Sequence, residues 1–105
     1  DQTKIRQALF NLLRNAQESI QHTHGKILFS ASAVPDGVQI TISDNGCGMT
    51  EDQIENAFRP FVTYKPGGTG LGLAVTRQII EAHQGTLYVE STPKEGTSFY
   101  IFLPG

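Results

Sequence analysis

Gly67-Gly-Thr-Gly-Leu-Gly-Leu-Ala74 is the stretch from which the rest of the chain can be read. Leu71, Ala74, Val75, Ile79 and Ala82 follow at helical spacing, so a helix is predicted to start near Gly70. The first backbone amides of such a helix are donors with a dipole favourable to phosphate. The spacing is not the Walker A pattern, which needs a lysine followed by serine or threonine. Nor is it the dinucleotide fingerprint that follows a parallel strand. Both of those folds are disfavoured, and the glycines serve either as a phosphate cradle or as a hinge.

Working upstream, Arg59 to Gly68 holds two prolines and two glycines and reads as irregular. It carries Phe61 and Tyr64, with Phe58 just before it; these aromatics are either core anchors or a docking surface. Lys65 is placed to touch phosphate. Before this segment, Thr50-Glu51-Asp52-Gln53 has the form of a capping box and opens a short helix to about Ala57.

Asp44-Asn-Gly-Cys-Gly-Met49 closes an apolar strand in which Val38, Ile40 and Ile42 alternate. A carboxylate at the edge of an apolar pocket accepts a hydrogen bond from an exocyclic amine, which adenine has. Gly46 and Gly48 let the backbone come close to a flat base. Pro35-Asp36-Gly37 is a turn, and Ile27, Phe29, Ala31 and Ala33 alternate before it as a half-buried strand, so an antiparallel hairpin is expected.

The first helix is predicted from about Thr3 to Gln21, with Ile5, Leu9, Leu12, Leu13, Ala16 and Ile20 as its apolar stripe. Asn11 and Asn15 lie four residues apart on one face, about 6 Å along the axis. Their amide oxygens are hard neutral donors, and Mg²⁺ takes few protein ligands beside waters and phosphate oxygens. At the other end, Gly85 stops the third helix. Leu87 and Val89, then Phe99, Ile101 and Leu103, alternate as two closing strands joined through Pro93-Lys94-Glu95-Gly96. Helices interleaved with paired strands predict an α+β two-layer sandwich, with a mostly antiparallel mixed sheet packed against helices.

Composition sets the outer limits. At 105 residues the chain is one small domain, 1–105, with a single thin core. A formal net charge of −2 argues against nucleic acid as a partner. No apolar run is long enough to span a bilayer, so direct membrane contact is not expected. The single cysteine, Cys47, excludes an internal disulfide and fits the cytoplasm. No histidine lies near it in sequence, and His22, His24 and His83 make no metal pattern. The abrupt opening, Asp1-Gln2-Thr3-Lys4, reads as a helix cap with little before it, as in a domain cut from a longer protein.

NLLRNAQES (Asn11–Ser19), DNGCGM (Asp44–Met49), FRPF (Phe58–Phe61) and GGTGLGLA (Gly67–Ala74) resemble, in this order, the N, G1, F and G2 boxes of the catalytic ATP-binding domain of sensor histidine kinases. That domain shares its superfamily and its Bergerat ATP-binding fold with gyrase, heat-shock ATPase chaperones and mismatch-repair ATPases. The segment FRPFVTYKPGGTGLGLA is most similar to the nitrogen-regulation and oxygen-sensing branch with compact lids.

The resemblance implies ATP and Mg²⁺ as cofactors. It makes Asn15 the metal ligand and Asn11 a supporting phosphate or metal-shell contact. Asp44 binds the adenine amino group, Gly46 and Gly48 line the base, and Thr97 supports it through water. Gly68, Thr69, Gly70, Leu71 and Gly72 bound the phosphates. Where many relatives carry a lysine three residues after the metal asparagine, this chain has Glu18; Arg14 and Lys65 are the candidates to supply that charge. No histidine stands in an H-E-x-x-x-P setting. The implied partners are therefore a dimerisation and phosphoacceptor domain of the same longer protein, with a response regulator downstream. An ATP-hydrolysing switch is the weaker reading, because those members carry a water-activating glutamate where Asn11 stands. A serine kinase acting as an anti-sigma factor shares the fold but has a different lid.

Overall fold

The computed structural model describes residues 2–20, 24–56 and 72–104. In chain order the elements are α1 (Gln2–Ser19), β1 (Ile27–Val34), β2 (Gly37–Asp44), α2 (Glu51–Asn56), α3 (Gly72–Ala82), β3 (Thr86–Thr92) and β4 (Gly96–Pro104). The four strands form one sheet in the order β1-β2-β4-β3, and all three pairings are antiparallel. Helices α1 and α3 pack on each other and against one face of this sheet, α1 over β2 and α3 over β3. The result is the expected α+β sandwich.

The alternation of apolar residues sets the register. Ile42 on β2 faces Phe99 on β4, Phe99 faces Val89 on β3, and one step along Ile40 faces Ile101 and Ile101 faces Leu87. Side chains two apart share a face, so these residues form one apolar surface under the helices. Ile40, Ile42, Phe99 and Ile101 are buried there with Leu12 of α1 and Ile79 and Ile80 of α3. On α1 the fully buried line is Ala8, Leu12 and Ala16, with Ile5, Leu9 and Leu13 partly buried beside it. Two alanines flanking one leucine let α1 lie close to its neighbours.

Strand β1 departs from expectation. Its alternation predicts a half-buried strand, yet Leu28 is 69% and Phe29 50% exposed, on opposite faces of the strand. The alternation is real and Phe29 pairs with Ile42. The helices, however, lie over β2 and β3, and β1 stands at the sheet edge beyond their cover.

Two helix ends show local chemistry at work. The Thr50 amide donates to Gln53 Oε1 at 2.8 Å and the Gln53 amide to Thr50 Oγ1 at 3.2 Å, the reciprocal capping box predicted for α2. The end of α3 is subtler. The Gly85 amide donates to the Ile80 carbonyl at 2.9 Å and the Gln84 amide to Glu81 at 3.0 Å, a Schellman closure. The left-handed residue is Gln84, at φ 64°, one position before the glycine expected to stop the helix. Gly85 is fixed instead by packing, since a Cβ there would run into the Phe102 carbonyl. His83 folds back on the same turn and donates from Nδ1 to Ile79 O at 2.8 Å, as befits a structural histidine. Gln84→Gly is expected to stabilise the domain by roughly 0.5–1 kcal/mol, because it removes a Cβ from a left-handed backbone. Thermal unfolding should show a midpoint a few degrees higher; a lower midpoint would mean that the glutamine side chain contributes more than its backbone costs.

Candidate nucleotide site

Asp44 is the last residue of β2, with its side chain on the face that carries Ile40 and Ile42. The strand therefore delivers a carboxylate to the rim of the apolar core. Its Oδ1 accepts the Gly46 amide at 2.8 Å. Its Oδ2 is buried and accepts no hydrogen bond from the described residues. Asp44 is thus anchored through Oδ1 by its own loop.

Residues 45–49 are tied down on two sides. Asn45 brackets the entry to β1: its Oδ1 accepts the Lys26 amide at 2.7 Å and its Nδ2 donates to His24 O at 2.9 Å. On the other side the β3–β4 hairpin holds the loop. The Lys94 amide donates to Cys47 O at 2.7 Å, and the Met49 amide donates to Ser91 Oγ at 2.8 Å. Gly48 has a φ of 69°, and a Cβ there would strike the Thr92 carbonyl. The need for glycine at Gly48 is thus already set by the contact between loop and hairpin. Gly46 is buried and Cys47 is exposed.

Thr97 stands directly opposite Asp44 in the β2–β4 register. It is a buried polar residue, 4% exposed, and its Oγ1 lies 2.7 Å from Ser91 Oγ. Asp44, Gly46, Gly48 and Thr97, four residues singled out in the sequence, are therefore brought to one end of the sheet. Sequence reasoning missed Asn45 and Ser91, which hold them there.

On α1, Asn11 and Asn15 sit one turn apart, half-buried along the margin of the Ala8–Leu12–Ala16 line, and Arg14 is exposed. An amide oxygen at such a margin is the right donor type for Mg²⁺ carried in with phosphates. Gly72 opens α3. Lys65, Gly68, Thr69, Gly70 and Leu71, with the aromatic segment and the expected compact lid, lie outside the described residues.

The family profile of histidine kinase-, DNA gyrase B- and HSP90-like ATPases matches residues 1–105. The chain belongs to this ATPase family. Among individual proteins it is 43% identical to sporulation kinase B of Bacillus subtilis (strain 168) over 99% of its length, and 42% identical to the sensor histidine kinase ZraS of Escherichia coli (strain K12) over the same share. It spans only 24% and 22% of those two relatives. Among solved structures it superposes on the mycobacterial sensor histidine kinase MprB with a TM-score of 0.88, at 27% identity, covering all of this chain and 74% of that one. The catalytic domain of the histidine kinase ThkA gives a TM-score of 0.85 at 36% identity, covering 99% and 68%. ZraS and MprB are sensor histidine kinases by name, and ThkA is represented by the catalytic domain of a histidine kinase. As a member of this ATPase family, the chain has ATP as its implied nucleotide.

Proposed function

We propose that this domain binds MgATP and presents the γ-phosphate to a histidine on a separate dimerisation and phosphoacceptor domain of a longer sensor kinase. In this reading it is the catalytic part of a cytoplasmic phosphotransfer system that ends on a response regulator. The observation that carries it is the end of the sheet, where Asp44, held by the Gly46 amide, faces the buried Thr97 within an ATPase-family fold.

Each residue has a chemical task. Asp44 accepts from the adenine amine, Gly46 and Gly48 shape the loop beside the base, and Thr97 reaches the ring through water. Asn15 would hold Mg²⁺, which would supply charge neutralisation on the phosphates, and Asn11 supports that shell. Gly68, Thr69, Gly70, Leu71 and Gly72 bound the phosphate chain, and Arg14 or Lys65 adds positive charge. Phosphoryl transfer is mostly positioning and charge neutralisation, so such a site needs no covalent participation from this domain. Asn11 is an amide and cannot act as the general base for a hydrolytic water, which favours transfer over hydrolysis.

The test is biochemical. The isolated domain should bind MgATP, hydrolyse it very slowly and take up no label from γ-labelled ATP. Adding a cognate acceptor domain should restore labelling, on a histidine of that domain. Robust turnover by the isolated domain, or an acid-labile phosphohistidine at His22, His24 or His83, would overturn the proposal.

A further inference from the structure

Ser91 sits at a junction that its place in the sequence does not announce. Its Oγ accepts the Met49 amide at 2.8 Å, donates to the Gly96 carbonyl at 2.9 Å and lies 2.7 Å from Thr97 Oγ1. A serine hydroxyl has one proton and two acceptor positions. The Gly96 carbonyl can only accept, so it takes the proton of Ser91. The Met49 amide can only donate, so it fills one acceptor position. The bond to Thr97 must then run from Thr97 to Ser91, which fills the other. Ser91 is saturated, and the only hydroxyl proton of Thr97 is committed to it.

Thr97 is left with lone pairs alone for anything else it meets. Asp44 stands opposite it on the same face of the neighbouring strand. The same serine fixes the loop that follows Asp44, through Met49. Gly96, which receives its proton, is locked against that loop: its φ is 125° and a Cβ would meet the Asp44 carbonyl. One hydroxyl thus sets both the position of the loop and the polarity of the site.

We propose that Ser91 is a positioning residue of the nucleotide site: it fixes the loop after Asp44 through Met49 and holds Thr97 as an acceptor, so that the water through which Thr97 reaches the base must donate to it. This rests on the reading of Asp44 as the base contact. Without Ser91 the Thr97 hydroxyl can turn its proton toward that water, and the loop loses its tie at Met49.

The experiment is to measure dissociation constants for ATP and GTP with the unmodified domain, Ser91→Ala, Thr97→Val and the double variant. The unmodified domain should prefer ATP. Ser91→Ala should lose about tenfold in ATP affinity, the scale of one hydrogen bond. The double variant should be no worse than the weaker single variant, because both changes break one linkage. Folded Ser91→Ala with unchanged ATP affinity, or fully additive losses, would overturn the inference. If the unmodified domain binds neither nucleotide, the functional reading itself fails and this inference falls with it. Should Ser91→Ala not fold, the unmodified domain decides by NMR. A nuclear Overhauser contact from the Thr97 hydroxyl proton to the Ser91 methylene supports the assigned direction; a hydroxyl proton turned toward Asp44 overturns it.

Discussion

Phe99→Ala is expected to cost the domain about 3–5 kcal/mol of stability, the usual loss when a large buried aromatic is cut to a methyl group. Phe99 has no exposed surface. It sits on β4 between Ile42 of β2 and Val89 of β3, so sheet neighbours wall the void on two sides and the helices close it above. Native domains of this size have only about 5–15 kcal/mol in total, so the variant should be close to unfolding at ambient temperature. Chemical denaturation should show a much lower midpoint with an unchanged slope. Phe99→Leu, which keeps most of the volume, should lose far less, on the order of 1–1.5 kcal/mol. A loss below 1 kcal/mol for the alanine variant would mean that the sandwich collapses around the gap. Because Thr97 lies two residues upstream on the same face, the alanine variant should also weaken nucleotide binding; the leucine variant should not.

The sequence made the fold legible wherever the determining contacts are periodic or local. Ile40, Ile42, Phe99 and Ile101 alternate because a sheet with one covered face demands it. Thr50 and Gln53 could be paired by eye because their bonds span three residues. Strand β1 shows where this stops. Alternation in Ile27, Phe29, Ala31 and Ala33 says which side chains share a face, but not whether a helix lies over that face. That depends on where α1 and α3 settle. Gln84 is a second case: the neighbouring Gly85 carries the usual stop signal, and only the backbone bonds reveal that the left-handed position belongs to the glutamine.

The candidate site divides along the same line. Asp44, Gly46 and Gly48 announce themselves as a carboxylate among glycines, and Thr97 through its motif. Asn45 and Ser91 do not, because their partners are distant in the chain: His24 for the first, Met49 for the second. The signal for Ser91 is its register opposite Thr97, and that becomes visible only once the β3–β4 pairing is known. A serine in a strand carries no such information by itself. The residues that touch a ligand are thus readable from their chemistry, whereas those that hold them are readable from topology.

Asp44→Asn is expected to reduce ATP affinity by about 10- to 100-fold, the range for loss of a hydrogen bond to a charged group, and to change which base the site prefers. The direction follows from the Gly46 amide. In the native domain Asp44 Oδ1 accepts that amide at 2.8 Å, and an asparagine must keep its oxygen there, since its NH₂ group cannot accept. The NH₂ is then turned toward the base. Against adenine it meets another amine, donor to donor; against guanine it meets a carbonyl and can donate to it. The ATP-to-GTP ratio should therefore shrink or invert, rather than both affinities falling in parallel. Stability should hardly change, because the turn through Gly46 keeps its bond and the side chain keeps its volume. Titration of both nucleotides by calorimetry, with thermal unfolding as the control, separates the outcomes. If the native domain binds ATP and GTP equally, or if the variant loses both by the same factor, Asp44 does not read the base and the nucleotide must be recognised elsewhere.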